Sequence, residues 1–433
     1  MGAYCLGGCD PQYSNSLKSC VPAPQCSTQD YKLTTLDGIT PNTEYLGDAS
    51  KANWVSSGTP LEAPGNDSII LTLSEDGQSA SGTLLASTHY VWYGKISARM
   101  KSSRGVGVVS AFILLSDVKD EIDFEFVGTD LQIAQSNFYF QGITNCKSSG
   151  IVLSFSLMDA DENGKNLTVS KGDTFSDWHI YEVDWQPDQL TWSVDGTVMR
   201  KLEKSATFNK TDNQYHYPQT PARVELSLWP AGLPKNGQGT IAWAGGLIDW
   251  NTQDVKSNGY YYAMYSDVNV QCYQTPPGAK VSGSTSYSYT GTNGVQSDIS
   301  LTNDPTVLKS LLGTGTDMSK DFPKAAKPSG TQSSTKGAAT SQVATVPGLT
   351  GAGPGTDGSR GGSNTGNSGS NQGGSNGGNQ ASSAAGPAST GIGGFTQGDQ
   401  PSSKSSSEAP KNEAVMKGSA FAAMVAFIGM LII

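Results

Sequence analysis

Asp120-Glu121-Ile122-Asp123-Phe124-Glu125-Phe126-Val127-Gly128 is the stretch on which the fold turns. From Glu121 to Phe126 acidic and apolar residues alternate without a break, which is the period of a β-strand. In such a strand Ile122, Phe124 and Phe126 face a core, and Glu121, Asp123 and Glu125 share the opposite face. Like charges in a row repel and destabilise a strand, so the arrangement implies either a chemical use or an edge strand with an acidic solvent face. Four residues of strand separate the Cα atoms of Glu121 and Glu125 by about 13 Å. Side chains leaning toward each other by about 4 Å apiece would bring the carboxyl groups within about 5 Å. Retaining glycosidases need about 5–5.5 Å between their two carboxyls and inverting ones about 6.5–9.5 Å, so the spacing permits a nucleophile paired with an acid/base. Asp123 between them would couple to both and help keep one protonated and the other ionised.

Outward from this strand the sequence reads as further short strands: 69–74, 93–100, 106–115, 132–140, 152–158, 178–185, 190–194, 223–229 and 260–269. They are rich in Val, Ile, Tyr, Trp and Thr, and turn residues separate most of them. No sustained helical face interrupts them, which predicts an all-β fold, a curved β-sandwich or jelly roll, over 29–275. All eight Trp lie between Trp54 and Trp250, and beyond Tyr289 only Phe322, Phe395, Phe421 and Phe427 are aromatic. A Ser/Thr/Gly-rich stretch over 276–411 is therefore expected to be a disordered stalk or linker, with one helix start at Asp304-Pro305-Thr306. With 28 Lys+Arg against 38 Asp+Glu, net charge −10, and no basic run, nucleic acid and anionic membrane surfaces are poor partners. Three histidines make a multi-histidine metal site improbable, and no cofactor is expected.

Glu121-Ile122-Asp123-Phe124-Glu125 resembles the active-site strand of glycoside hydrolase family 16. Tyr93-Gly94-Lys95, Arg99-Met100-Lys101 and Gln135-Ser136-Asn137-Phe138 flank it in the matching order. Trp178-His179-Ile180-Tyr181 through Trp185, Val194-Asp195-Gly196 and Arg200 are similar to plant xyloglucan transglycosylases. Ser227-Leu228-Trp229-Pro230 and Trp243-Ala244-Gly245-Gly246 are similar to the fungal Crh branch, the chitin–glucan transglycosylases of the cell wall. The resemblance implies a jelly roll with a sugar-binding cleft, Glu121 as nucleophile, Glu125 as general acid/base and Asp123 as helper. It also implies chitin and β-glucan as partners of an enzyme expected to be monomeric. Motif matching makes Trp185, Trp229 and Trp243 candidate sugar platforms, with core packing the competing role for each, and Gln135 and Asn137 candidate hydrogen-bonders.

The ends of the chain carry processing signals. Ala420 to Ile433 is uncharged and mostly apolar and follows a polar spacer, the pattern of a GPI-anchor signal over 412–433, with Asn412 the preferred attachment site and Ser406 and Ser407 also acceptable; a short tail anchor is the alternative. That pattern predicts a cell-surface or wall location. Asn66, Asn166 and Asn209 open N-glycosylation sequons. The six cysteines, at 5, 9, 20, 26, 146 and 272, permit three disulfides. Residues 1–28 read either as the end of a hevein-type chitin-binding module, with Cys5 and Cys9 deprived of their partners, or as an ordinary disulfide-stapled loop. A GPI anchor requires entry to the secretory pathway, yet the opening residues show no basic n-region and apolar h-region, so the sequence is expected to be a fragment or to begin late.

Other motifs carry less. Asp159-Ala-Asp161-Glu-Asn163-Gly164 opens like a calcium loop, but its twelfth position is Ser170 rather than Glu, and a polar hairpin turn is the simpler reading. The Gly-x-Ser-x-Gly match at Gly373 to Gly377 falls in the stalk, where no strand and helix can hold it. An endo-hydrolase and a noncatalytic wall lectin remain as alternative functions. The complete acid triad argues against the lectin, because binding sugar does not require it.

Overall fold

The computed structural model describes residues 9–14, 16–77, 79–143 and 163–311. Two sheets dominate them. The first orders its strands Lys165–Thr168, Ile133–Tyr139, Glu121–Val127, Val108–Ser116, Ala222–Pro230, Thr83–Val91, Trp54–Ser57 and Ile39–Pro41. The second runs Thr197–Glu203, Gln189–Val194, His179–Trp185, Gly94–Lys101, Tyr261–Cys272, Ile69–Asp76 and Pro60–Glu62, with Gln29–Lys32 and Ser79–Ser81 paired onto it. The all-β jelly-roll sandwich read from the sequence is the fold observed. Two six-residue helices, Gln238–Trp243 and Gln253–Asn258, are the α-helical exceptions among the described residues.

The core lies between the sheets. Ile122, Phe124 and Phe126 enter it from the first, and Tyr181, Val183, Trp185 and Tyr265 from the second. Phe126 and Tyr181 meet edge-on with ring centroids 4.6 Å apart. Two hydrogen-bonding side chains cross this apolar layer and fix the backbone of the first sheet. The Trp192 indole donates to the Asp123 carbonyl at 3.1 Å, and the Tyr265 hydroxyl reaches the carbonyls of Ala111 (3.1 Å) and Ser227 (3.2 Å). Buried aromatic polar atoms normally find such partners; here they hold the strand that carries the acids.

The ordered fold runs past the boundary expected at 275. Lys280–Val281, Ser286–Tyr289 and Ile299–Thr302 join Ala23–Pro24 in a four-stranded sheet built from both flanks of the sandwich. Tyr287, Ile299 and Leu301 reach the main core, and Trp92 meets Tyr287 edge-on at 5.7 Å. Hydroxyl bonds do much of the rest, among them Ser286 to Thr302 (2.9 Å) and Ser288 to Thr302 (3.0 Å). A Ser/Thr-rich composition thus concealed real strands. The expected helix start at Asp304 is not formed within 304–311; Leu308 N instead donates to the Leu46 carbonyl at 2.8 Å, and Leu308 packs beside Val21.

Disulfides join Cys9 to Cys20 and Cys26 to Cys272. Cys9 therefore has a partner in Cys20, eleven residues along the chain. Cys5, Cys146, the 152–158 strand, Asp159 and Asp161, the later stalk and Asn412 lie outside the described residues. Asn66 and Asn166 are exposed and Asn209 is partly so, all compatible with glycosylation.

Candidate active site

Strand register brings the expected site residues to one face. Glu121, Asp123 and Glu125 pair across the ladder with Tyr139, Asn137 and Gln135 on one side, and with Leu115, Ile113 and Ala111 on the other. Directly paired residues point the same way, so these side chains form a patch on the face turned away from the inter-sheet core. The patch is nevertheless dry. Glu121, Asp123 and Glu125 are 1%, 0% and 4% exposed, and Ala111, Ile113 and Leu115 form a small apolar cluster beside them, separate from the core.

Burial governs the electrostatics. The Glu121 carboxyl is held well above the ordinary carboxylate range, first by loss of water, then by repulsion from Asp123 and Glu125. Glu125 is raised for the same reason, with Asp123 as the neighbouring charge. Neither oxygen of Glu121, nor Oε1 of Glu125, meets a hydrogen-bond donor among the described residues. Three packed carboxyls cannot all ionise in so dry a place. The shift is in the direction a general acid requires, toward keeping its proton.

Immediately upstream, Asp120 has a different task. Its carboxylate accepts from Gln141 N (3.0 Å), Gln219 N (2.9 Å), Thr220 N (3.0 Å) and the Thr220 hydroxyl (2.7 Å). These bonds tie the start of the acid strand to two loops. Burial outweighs them and raises its pKa to about 6. At the other end Gly128 allows a close crossing: a Cβ there would stand 2.4 Å from the Gly105 carbonyl oxygen.

The three candidate tryptophans separate. Trp185 is wholly buried between the sheets, beside Tyr93 (4.8 Å), with its indole donating to the Pro218 carbonyl at 3.1 Å. It cannot meet a sugar, because strand alternation places it with Tyr181 and Val183 in the core. Trp229 is on the correct face, through its register with Val109, but it is 2% exposed and stacked under Trp243 at 6.0 Å. Its place is therefore beneath Trp243. Trp243 is partly exposed, and its indole donates to Gln135 Oε1 at 2.8 Å, which orients a second candidate. The loop after Trp243 is clasped to the sheet by backbone bonds from Gly107 N to Ala244 O and from Gly232 N to Gly107 O. Asn137 donates to the Tyr139 hydroxyl at 2.7 Å. His179 and Asp195, part of the flanking motifs, pair at 2.8 Å and fasten a hairpin away from the acids.

One part of this face went unread in the sequence. Arg223 and Glu225 alternate along Ala222–Pro230 as the acids do along theirs. In register they fall opposite Leu115 and Ile113, on the acids' face. Arg223-Val-Glu225 shows the same period, but two charges in an otherwise apolar strand make a faint signal.

Residues 48–245 match the family described as "Glycosyl hydrolases family 16". "Crh-like protein 2" of Aspergillus fumigatus is 52% identical over 318 residues, 73% of this chain and 67% of that one. "Congo red hypersensitive protein 2" of Saccharomyces cerevisiae is 41% identical over 321 residues, 74% of this chain and 64% of that one. A solved structure titled "Crh5 transglycosylase in complex with NAG" aligns with a TM-score of 0.48 at 27% identity, covering 64% of this chain and 94% of that chain. The chain thus spans about two-thirds of the length of these curated relatives.

Proposed function

The chain belongs to glycosyl hydrolases family 16, alongside the Crh-like proteins, and on that premise we propose that it is a retaining transglycosylase of the fungal cell wall. It cuts a β-linked glycan, chitin by preference, and joins the cut end to β-glucan or chitin. Glu125 protonates the departing glycosidic oxygen while the Glu121 carboxylate attacks the anomeric carbon, giving a glycosyl-enzyme and a shortened leaving chain. Glu125, now ionised, takes the proton from an incoming sugar hydroxyl, whose oxygen displaces Glu121. Asp123, between the two, couples electrostatically to both and helps keep Glu125 protonated while Glu121 is ionised.

The observation that carries this reading is the row of three carboxyls, on one sheet face yet outside the hydrophobic core, with oxygens of Glu121 and Glu125 left without hydrogen-bond donors among the described residues. A noncatalytic lectin has no use for such a costly row. The dryness of the face favours a sugar acceptor over water in the second step. Trp243, steadied by Trp229 and Gln135, is suited to stack the apolar face of that sugar. The membrane enters only through the GPI signal at the chain's end, with the Ser/Gly-rich stalk as spacer.

The test is incubation with chitin oligosaccharides and a fluorescent β-glucan oligosaccharide. Labelled products longer than the acceptor are expected. New reducing ends with an unchanged labelled acceptor would make the protein an endo-hydrolase.

A further inference from the structure

Neither carboxyl oxygen of Glu121 meets a hydrogen-bond donor among the described residues, so no bond of its own aims this side chain. Its aim has to come from the backbone that carries it. Asp120, the residue before it, is fixed on every side. Its N–H donates to the Ser116 hydroxyl at 2.9 Å, and its carbonyl accepts from Ser116 N at 2.9 Å. Its carboxylate accepts the four bonds from Gln141, Gln219 and Thr220. The backbone around it is strained: Lys119 (φ 69°) and Gln141 (φ 52°) occupy the left-handed region, which a side chain of their size keeps only where the surroundings hold it. Gly142 N joins the two by donating to the Lys119 carbonyl at 2.7 Å.

What holds the two loops comes from far along the chain. Gln141 Nε2 donates to the carbonyls of Asn293 (2.7 Å) and Gly294 (3.0 Å), and Gln296 N donates to Gln219 Oε1 at 3.1 Å. Both glutamines whose backbone amides bind Asp120 thus commit their side chains to one turn, 293–296, between Ser286–Tyr289 and Ile299–Thr302. That turn is braced in its own right. The buried Asp298 accepts from Asn293 N at 2.6 Å, and its own N–H donates to the Val295 carbonyl at 2.8 Å. Gln296 Oε1 accepts from the hydroxyl of Tyr93, a core residue, at 2.7 Å. The bonds close a ring from Asp120 through one loop, the turn and the other loop back to Asp120. The turn lies outside the family match over 48–245.

We propose that the turn 293–296 is a positioning element for the reaction and that Gln141 and Gln219 are its positioning residues: through them it holds Asp120, and so sets where the Glu121 carboxylate points. The role requires no contact with the glycan. Donors bonded directly to Glu121 would hold its attacking oxygens but also stabilise their charge and blunt the attack. Fixing the neighbouring backbone instead leaves the oxygens unencumbered and still meets the tolerance of about 0.5 Å that a reacting group needs. A brace for stability alone could attach anywhere on these loops; here both attachments fall on residues that bond Asp120. The proposal rests on Glu121 as the nucleophile.

Gln141→Met and Gln219→Met test this, since each keeps the side chain's length and removes its bond to the turn. Each is expected to lower kcat about tenfold or more, as a displacement of about 1 Å costs up to about a hundredfold. KM should stay within about twofold, and Tm within about 4 °C, as for the loss of one or two hydrogen bonds. The kcat loss should persist with a donor whose leaving group departs without protonation, because attack by Glu121 is what has slowed. Full recovery with that donor would place the defect at Glu125 and overturn the proposal. Unchanged kcat, with or without a lowered Tm, would make the turn a brace for stability and overturn it too. Hydrogen exchange gives a readout independent of turnover. The N–H groups of Gln141, Gln219 and Thr220 should exchange at least about tenfold faster in both variants, and unchanged exchange would show that the turn does not hold Asp120. Retained turnover in Glu121→Gln would remove the nucleophile assignment itself. An inactive Glu121→Gln beside fully active Gln141→Met and Gln219→Met would keep that assignment and remove the turn's role.

Discussion

Glu121 meets two opposed demands: as the proposed nucleophile it must be ionised, yet its surroundings favour the protonated form. Asp123 and Glu125 repel its charge, and no hydrogen-bond donor among the described residues relieves it. Such a residue is destabilising to the fold, a cost that the proposed chemistry would account for. Glu121→Gln should lower turnover by at least about a thousandfold while glycan binding survives, because an amide keeps the shape and loses the attacking oxygen. Initial rates and calorimetry on one preparation check both halves. The buried acids also make a pH prediction. Asp120 rises from its ordinary 3.8 to about 6, and Glu225 from 4.5 to about 7. Both bind a proton more tightly folded than unfolded, so their contribution is fully present below about pH 4 and is lost as pH climbs through 6 and 7. Glu121 and Glu125 act in the same direction. Carboxylates shifted the other way, such as Asp48 and Asp173, are partly exposed and titrate below this window. The Tm should therefore fall between pH 4.5 and 7.5, less steeply in Glu225→Gln; a flat or rising profile would contradict it.

At the scale of the strand, legibility followed the number of faces an element buries. Glu121–Val127 was readable because one face is apolar and the other acidic, which prints a period of two. Thr83–Val91 is just as central, but nearly every residue is buried on both faces, and Thr-Leu-Leu-Ala-Ser-Thr-His-Tyr-Val shows no alternation. Ser286–Tyr289 and Ile299–Thr302 were hidden because hydroxyl bonds replace much of the apolar contact. The candidate site was legible where it lies on the acid strand and its neighbour, which supplied Gln135 and Asn137. Tryptophans were not separable, because a motif match carries no direction and only register shows which side of a sheet a residue faces. Trp185→Ala should cost about 3–5 kcal/mol of stability, as for a large core aromatic. Trp243→Ala should cost much less and instead raise KM severalfold. Thermal melts beside steady-state kinetics separate the two. Gly128→Ala should destabilise by about 1–3 kcal/mol, because the new methyl would meet the Gly105 backbone rather than a side chain that can yield.

Across the whole molecule, the family match over 48–245 covers the acid strand and both sheets' centres, while segments on either side of it build the four-stranded sheet. That sheet docks on loops leading to the acids. Tyr93 donates to Gln296 Oε1 at 2.7 Å, and Gln296 N donates to Gln219, the residue whose own amide binds Asp120. Cys26–Cys272 closes the chain across 246 residues and ties the leading segment to the second sheet. A loop of that length suggests about 5 kcal/mol of stabilisation from chain entropy. Reduction should lower the Tm markedly, and an unchanged melt would show that the leading segment is held by packing alone. The central claim concerns a covalent bond, and mass spectrometry addresses it most directly. Glu125→Ala would be incubated with a chitin-oligosaccharide donor whose leaving group departs without protonation, so that the glycosyl-enzyme forms and lacks the base that speeds its discharge. The peptide containing Glu121 should gain the mass of the donor glycan. Cleavage of that donor with the Glu121 peptide unmodified, or with the glycan on another residue, would contradict the account.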